Sequence, residues 1–130
     1  MSGYLIDTSV FVGAEQGRVR GEPPAGEGRV SVVTLTELIQ GVELSAPDRR
    51  PRRKETLAEA RSFVALTFDE YVADRLGRLL ASAREARRRA DVMDAIIAAT
   101  ALVHDLAVWT QDDDFEILAE LAPELEVARA

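Results

Sequence analysis

From Ala95 to Val103 the chain is apolar at every position but Thr100, and the apolar residues fall on all sides of a helical wheel. That pattern predicts a helix buried all round, running from about Val92 to His104. Ala95, Ala98, Ala99 and Ala101 keep its bulk low, so neighbouring backbones can approach closely. Asp94 falls in its first turn, where a carboxylate is costly to bury without a partner. Elsewhere the pattern is shorter. Tyr4-Leu5-Ile6 reads as a strand, Asp7-Thr8-Ser9 as a turn, and Val10-Phe11-Val12 as the start of a helix. Glycines and prolines make residues 17–28 a loop. The β-branched Val30-Ser31-Val32-Val33 predicts a second strand, and Thr34 opens a helix to about Leu44, with Pro47 and Pro51 punctuating the segment after it.

A further helix is expected from Arg52 to Arg61 and a strand at Phe63–Leu66. From Asp69 to about Arg89 an apolar stripe at Tyr71 or Val72, Leu76, Leu79, Leu80 and Ala83 predicts a long amphipathic helix, with a break expected near Gly77 or Ser82. Leu106–Thr110 reads as a strand, Asp113–Ala122 as a short helix, and Leu125–Val127 as a final edge strand. Strands alternating with helices imply an α/β domain whose parallel sheet is covered on both faces.

Composition narrows the class. At 130 residues the chain is expected to be one domain, long enough to remove roughly two-thirds of its unfolded surface from water. It has no cysteine, which excludes disulfides, thiolate metal sites and a Cys nucleophile. Asp7 interrupts the N-terminal region where a signal peptide has its apolar core, and no uncharged run approaches a membrane span, so a soluble, cytoplasmic protein without a membrane partner is expected. The net charge is −7, which speaks against nucleic acid until its distribution is considered. Residues 91–130 hold ten acids and one basic residue, Arg129, whereas Arg49, Arg50, Arg52, Arg53 and Lys54 form one basic run and Arg84, Arg87, Arg88 and Arg89 another. These runs are candidates for binding phosphates, and equally for solvated surface or for cations complementing a helix C-terminus.

The acids carry the chemistry. Ligands of open α/β sheets bind just beyond the carboxyl ends of the strands. Asp7, Glu37 and Asp112 each follow an expected strand, and Asp94 opens the buried helix. Taken singly, each has a structural explanation: Asp7 or Thr8 as a cap of the first helix, Thr34 and Glu37 as a capping box, Asp91 and Asp94 as cap and first-turn acid, Asp112 as a cap of the last helix. Taken together, four carboxylates at one end of a sheet repel one another and call for a cation. A hard ion such as Mg²⁺ or Mn²⁺ takes oxygen ligands and leaves positions open for a substrate phosphate, so hydrolysis of a phosphodiester needs no separate His or Ser. The lone histidine, His104, falls at the far end of the buried helix, about 15 Å from Asp94 at 1.5 Å per residue.

Ile6-Asp7-Thr8-Ser9, then Val33-Thr34-Leu35-Thr36-Glu37-Leu38 with Gly41, then Asp94 to Ala101, then Trp109-Thr110-Gln111-Asp112-Asp113-Asp114-Phe115 together resemble the PIN-domain nucleases, specifically the VapC toxins of bacterial toxin–antitoxin pairs. The resemblance spans nearly the whole chain. It implies a three-layer α/β/α sandwich and a Mg²⁺- or Mn²⁺-dependent endoribonuclease. As partners it implies an RNA substrate, a cognate VapB antitoxin and a second copy in a homodimer. Carried over by position, the metal-binding and catalytic acids fall on Asp7, Glu37, Asp94 and Asp112, with Asp114 or Asp113 as alternatives for sharing the role of Asp112 and Asp91 competing with Asp94 one turn away. Thr8, Ser9 and Thr110 match the supporting hydroxyls. On charge alone, not on the resemblance, Arg49, Arg50, Arg52 and Arg53 are the candidates for RNA contacts, with solvated surface as the alternative. A haloacid-dehalogenase phosphatase or a receiver domain fits less well, because Ser9 stands where the former needs a second Asp, and Lys54 is the only lysine. The remaining alternative is a PIN-like module that binds metal or RNA without cleaving.

Overall fold

The computed structural model describes residues 3–130. Five short strands form one sheet: β1 (Tyr4–Ile6), β2 (Gly28–Ser31), β3 (Val64–Leu66), β4 (Ala107–Thr110) and β5 (Val127–Arg129). Their spatial order is β3-β2-β1-β4-β5, and every neighbouring pair is parallel. The helices between them are α1 (Thr8–Glu15), α2 (Val32–Glu43), α3 (Arg50–Ala60), α4 (Glu70–Glu85), α5 (Val92–His104) and α6 (Asp114–Leu121).

Alternation along the strands sends neighbouring side chains to opposite faces. Leu5 and Val108 join Val72, Leu76, Leu79, the apolar body of α5, Phe115 and Leu118 in one core, under α4, α5 and α6. Ile6, Val30 and Trp109 point the other way and pack with Val10, Phe11, Leu38, Val42 and Leu57 from α1, α2 and α3. The sheet is thus the middle of three layers. Helix α5 is buried without interruption from Asp94 to Ala101, as its composition requires, and only its ends reach solvent. No helix among the described residues is long and apolar enough to cross a membrane.

Connections leave β1 and β4 in opposite directions. From β1 the chain runs through α1 on one face to β2, and from β4 through α6 on the other face to β5. The carboxyl ends of these two adjacent strands therefore border an open crevice, the usual place for a ligand in a sheet of this kind.

Several boundaries differ from the expectation, each for a local reason. β2 ends at Ser31 and α2 begins at Val32, not Thr34, because the Ser31 side chain accepts the Val33 N–H at 3.0 Å and caps the helix there. The β-branched Val32 and Val33 are helical under that cap, with Val33 buried in the core. Glu37 consequently lies beyond the first turn and forms no capping box. Helix α4 runs unbroken through Gly77 and Ser82 and stops at Glu85, after which Arg87 takes positive φ (55°). In its stripe Val72 is buried and Tyr71 exposed. β5 begins at Val127, since Leu125 turns into the core instead.

Candidate metal centre

Asp7 directly follows β1 and is the N-cap of α1. Its Oδ2 accepts from the Ser9 hydroxyl at 2.6 Å, the Thr110 hydroxyl at 2.8 Å and the Ser9 N–H at 3.4 Å. Ser9 Oγ in turn accepts the Gln111 N–H (2.9 Å), and Thr110 Oγ1 accepts the Asp112 N–H (2.9 Å). Every polar hydrogen in this knot is committed, so the carboxylate plane is fixed and the ends of β1 and β4 are tied together. Asp7 is only 3% exposed. Burial raises its pKa, and the Ser9 and Thr110 hydrogen bonds oppose that rise.

Glu37 comes from the second turn of α2. Its Oε1 accepts from the Thr8 hydroxyl at 2.6 Å, and that hydroxyl lies 3.0 Å from Thr34 Oγ1. Thr8 is thereby a spacer between α1 and α2. The Glu37 pKa is raised first by burial and then by Asp7, Asp91 and Asp112, against the pull of the Thr8 bond.

Asp94 lies in the first turn of α5, 8% exposed. The positive end of the helix favours its charge, but burial and then the charges of Asp7, Asp112, Asp91 and Asp114 outweigh that, and its pKa is pushed up to about 8. Asp112 sits in the turn after β4, where its Oδ1 accepts the Asp114 N–H at 3.0 Å. Oxygens of Asp94, Asp112 and Asp114 all lie within 4.8 Å of one another.

These acids share one cleft of about 850 Å³ at the carboxyl edge of the sheet. Asp7, Glu37, Asp94, Asp112, Asp113 and Asp114 all line it, with Thr8 and Ser9. The donor set is oxygen throughout and, among the described residues, Asp7, Glu37, Asp94 and Asp112 have no ion-pair partner, which fits a hard divalent cation and no soft one. Asp91 lies at the N-cap position of α5 but makes no side-chain cap bond, and lines instead a second cavity of about 520 Å³ together with Arg89, Asp94 and Asp114. Asp113 lines the cleft but is not part of the Asp94–Asp112–Asp114 cluster, and pairs with Arg129 at 2.8 Å.

The basic run divides into two kinds of residue. Arg53 pairs with Glu15 (3.2 Å) and donates to the Gly41 carbonyl, and Arg50 donates to the Ser45 carbonyl, so both hold α3 against its neighbours. Arg49 and Arg52 are exposed. None of the four lines the acidic cleft, whereas Arg18 and Arg129 do. His104 is exposed at the C-terminus of α5.

Two contributors were not assigned roles from sequence. Gln111 donates through Nε2 to the Arg18 carbonyl at 2.7 Å, closing the rim of the cleft. Gly13 makes room for it, since a Cβ there would stand 2.3 Å from Gln111 Oε1. A glycine inside an otherwise ordinary helix was the available signal.

The family model described as PIN domain matches residues 4–121. Ribonuclease VapC4 of Mycobacterium tuberculosis is 42% identical over 125 residues, covering 95% of this chain and 93% of its own. Ribonuclease VapC5 of the same organism is 38% identical over 127 residues, covering 96% and 93%. Among solved structures, that of VapBC-5 from M. tuberculosis, a member of the VapBC family of toxin–antitoxin systems, superposes with a TM-score of 0.85 at 33% identity over 100% of both chains.

Proposed function

Because this chain belongs to the PIN-domain family and, within it, to the VapC ribonucleases, we propose that it is a Mg²⁺- or Mn²⁺-dependent endoribonuclease toxin, neutralised by a VapB-type antitoxin. The observation that carries the reading is the convergence of Asp7, Glu37, Asp94 and Asp112 on one cleft at the switch point between β1 and β4. Asp7, Glu37, Asp94 and Asp112 would hold the cation, with Asp114 close enough to share it. When bound, the cation supplies a Lewis acid for the phosphodiester and lowers the pKa of water as the attacking nucleophile.

The protein's own part is positioning. Ser9 and Thr110 orient Asp7, Thr8 orients Glu37, and α5 delivers Asp94 from a core that does not yield. The backbone turn from Thr110 to Asp114 presents Asp112 and Asp114 together. Such outer hydrogen bonds fix ligand geometry before a substrate arrives. An acidic cleft repels an RNA strand, so Asp7, Glu37, Asp94 and Asp112 would admit a phosphate only with their charge offset by the cation they would hold.

The antitoxin and a homodimeric assembly are part of the same reading and rest on family membership. The matched VapBC-5 structure is of a toxin–antitoxin system, which supports the first. Light scattering on the purified protein tests the second.

The enzymatic reading is tested by incubating RNA with the purified protein in Mg²⁺, in Mn²⁺ and in chelator, beside the Asp94→Asn variant. Cleavage is expected only with wild type and metal. Metal binding by calorimetry without any cleavage would make the protein a binding module instead.

A further inference from the structure

We propose that Arg129 is a positioning residue that sorts the three consecutive acids Asp112, Asp113 and Asp114, all of which line the cleft, pairing with Asp113 so that Asp112 and Asp114 are left to cluster with Asp94. This rests on the reading of the cleft acids as metal ligands. Arg129 is the only basic residue among the forty from Asp91 onward, in a stretch with ten acids. It lies in β5, beyond the residues matched by the family model. In the β4–β5 register it stands opposite Thr110, the residue that orients Asp7.

That register aims its guanidinium along the acidic turn. Nη1 donates to the Asp112 carbonyl at 3.0 Å, Nη2 to the Gln111 carbonyl at 3.3 Å, and Nη2 pairs with Asp113 Oδ1 at 2.8 Å. One planar fork thus grips three successive residues. Three adjacent carboxylates have no intrinsic preference for which two turn inward, and mutual repulsion would spread them. Pairing the middle one with Arg129 at the cleft wall resolves this, because the flanking pair is then left to cluster with Asp94. The Asp112 Oδ1 bond to the Asp114 N–H keeps the two in register.

The pair is exposed, with side chains 47% and 83% accessible. An ion pair so placed contributes little to folding, so its removal should alter the site without unfolding the chain. Arginine is needed for its shape: a lysine is a point charge that can meet Asp113 or a carbonyl but does not span all three with a rigid plane.

The test is Mn²⁺ affinity by calorimetry on the metal-free full chain, with melting temperature as the control. Arg129→Ala should weaken Mn²⁺ binding by about 10- to 100-fold, the usual cost of losing a partner that orients a ligand, while its metal-free melting temperature stays near wild type. Arg129→Lys should restore part of the affinity. Asp113→Asn, which leaves both carbonyl bonds in place, should lose least. Unchanged Mn²⁺ affinity in Arg129→Ala overturns the proposal, and so does full restoration by lysine. Unchanged affinity with a raised KM for RNA would assign Arg129 to the substrate instead. Absence of Mn²⁺ binding in the wild type would fail the metal-site reading itself, which separates the two.

Discussion

Asp94 shows how much of this site is electrostatic cost. Its carboxyl is pushed up to about 8 by burial and by its acidic neighbours, so the folded state holds its proton far more tightly than the unfolded chain, where an aspartate titrates near about 3.9. A raised folded pKa contributes stability that is fully present below the unfolded value and lost as pH rises through about 8. The metal-free protein is therefore expected to melt progressively lower between pH 5 and pH 9 (roughly the span of that titration), and a divalent ion should flatten the decline by replacing the proton. Asp94→Asn removes the penalty at nearly constant shape. It should melt higher than wild type at alkaline pH without metal, gain little from Mn²⁺, and lose RNA cleavage. Thermal melts across pH, with and without Mn²⁺, check this. A wild-type melting temperature that does not fall toward alkaline pH would mean that the Asp94 carboxyl is not held raised in the folded state.

At the scale of elements, the site depends on how α1 docks on the end of β4. Gly13 faces Gln111 across that contact. Replacing a helical glycine by alanine ordinarily stabilises by roughly 0.5–1 kcal/mol through backbone entropy, but here the new methyl meets the Gln111 side chain. Because the obstructing atom is the end of a flexible side chain, the expected outcome is eviction of Gln111 rather than unfolding. Gly13→Ala should melt no lower than wild type yet lose cleavage to the same degree as Gln111→Ala, and the double variant should be no worse than either. Two residues that act through one contact are not additive. Additive losses in kcat/KM would show that Gln111 supports the cleft by some other route.

On the whole molecule, a net charge of −7 gives no general attraction for RNA, so binding must come from local cations. With Arg50 and Arg53 engaged in holding α3, Arg49, Lys54 and Arg52, the last in an exposed pair with Glu55 at 3.3 Å that costs little to break, are the members of that run able to meet phosphate. Each contact to a single strand contributes roughly −0.7 to the slope of log affinity against log salt. Neutralising Arg49 and Arg52 to glutamine should flatten that slope in an RNA-binding titration with Asp94→Asn protein, and leave the melting temperature unaltered. A slope equal to the parent's would assign this run to plain surface. Changing Arg53 instead should lower the melting temperature, because it leaves the partly buried Glu15 without its cation and with only the Thr56 hydroxyl as a partner.

What the sequence alone determined was whatever short-range pattern controls. Alternation of strand and helix, the all-round apolarity of α5, and an acid after each of β1 and β4 were legible, because hydrophobic period and strand-end position are local properties. Strand-to-helix transitions were less so: the Ser31 cap outweighed the β-branched run after it, and Gly77 caused no break in a helix whose neighbours hold it. The roles of Asp113 and Arg129 depended on the parallel register that sets β5 beside β4, a contact between residues sixteen or more positions apart. Only the assembled sheet decides which of three identical carboxylates meets the guanidinium and which two cluster with Asp94. Composition showed that the acids were many and the bases few, but charge acts through space, and the distances were set by packing.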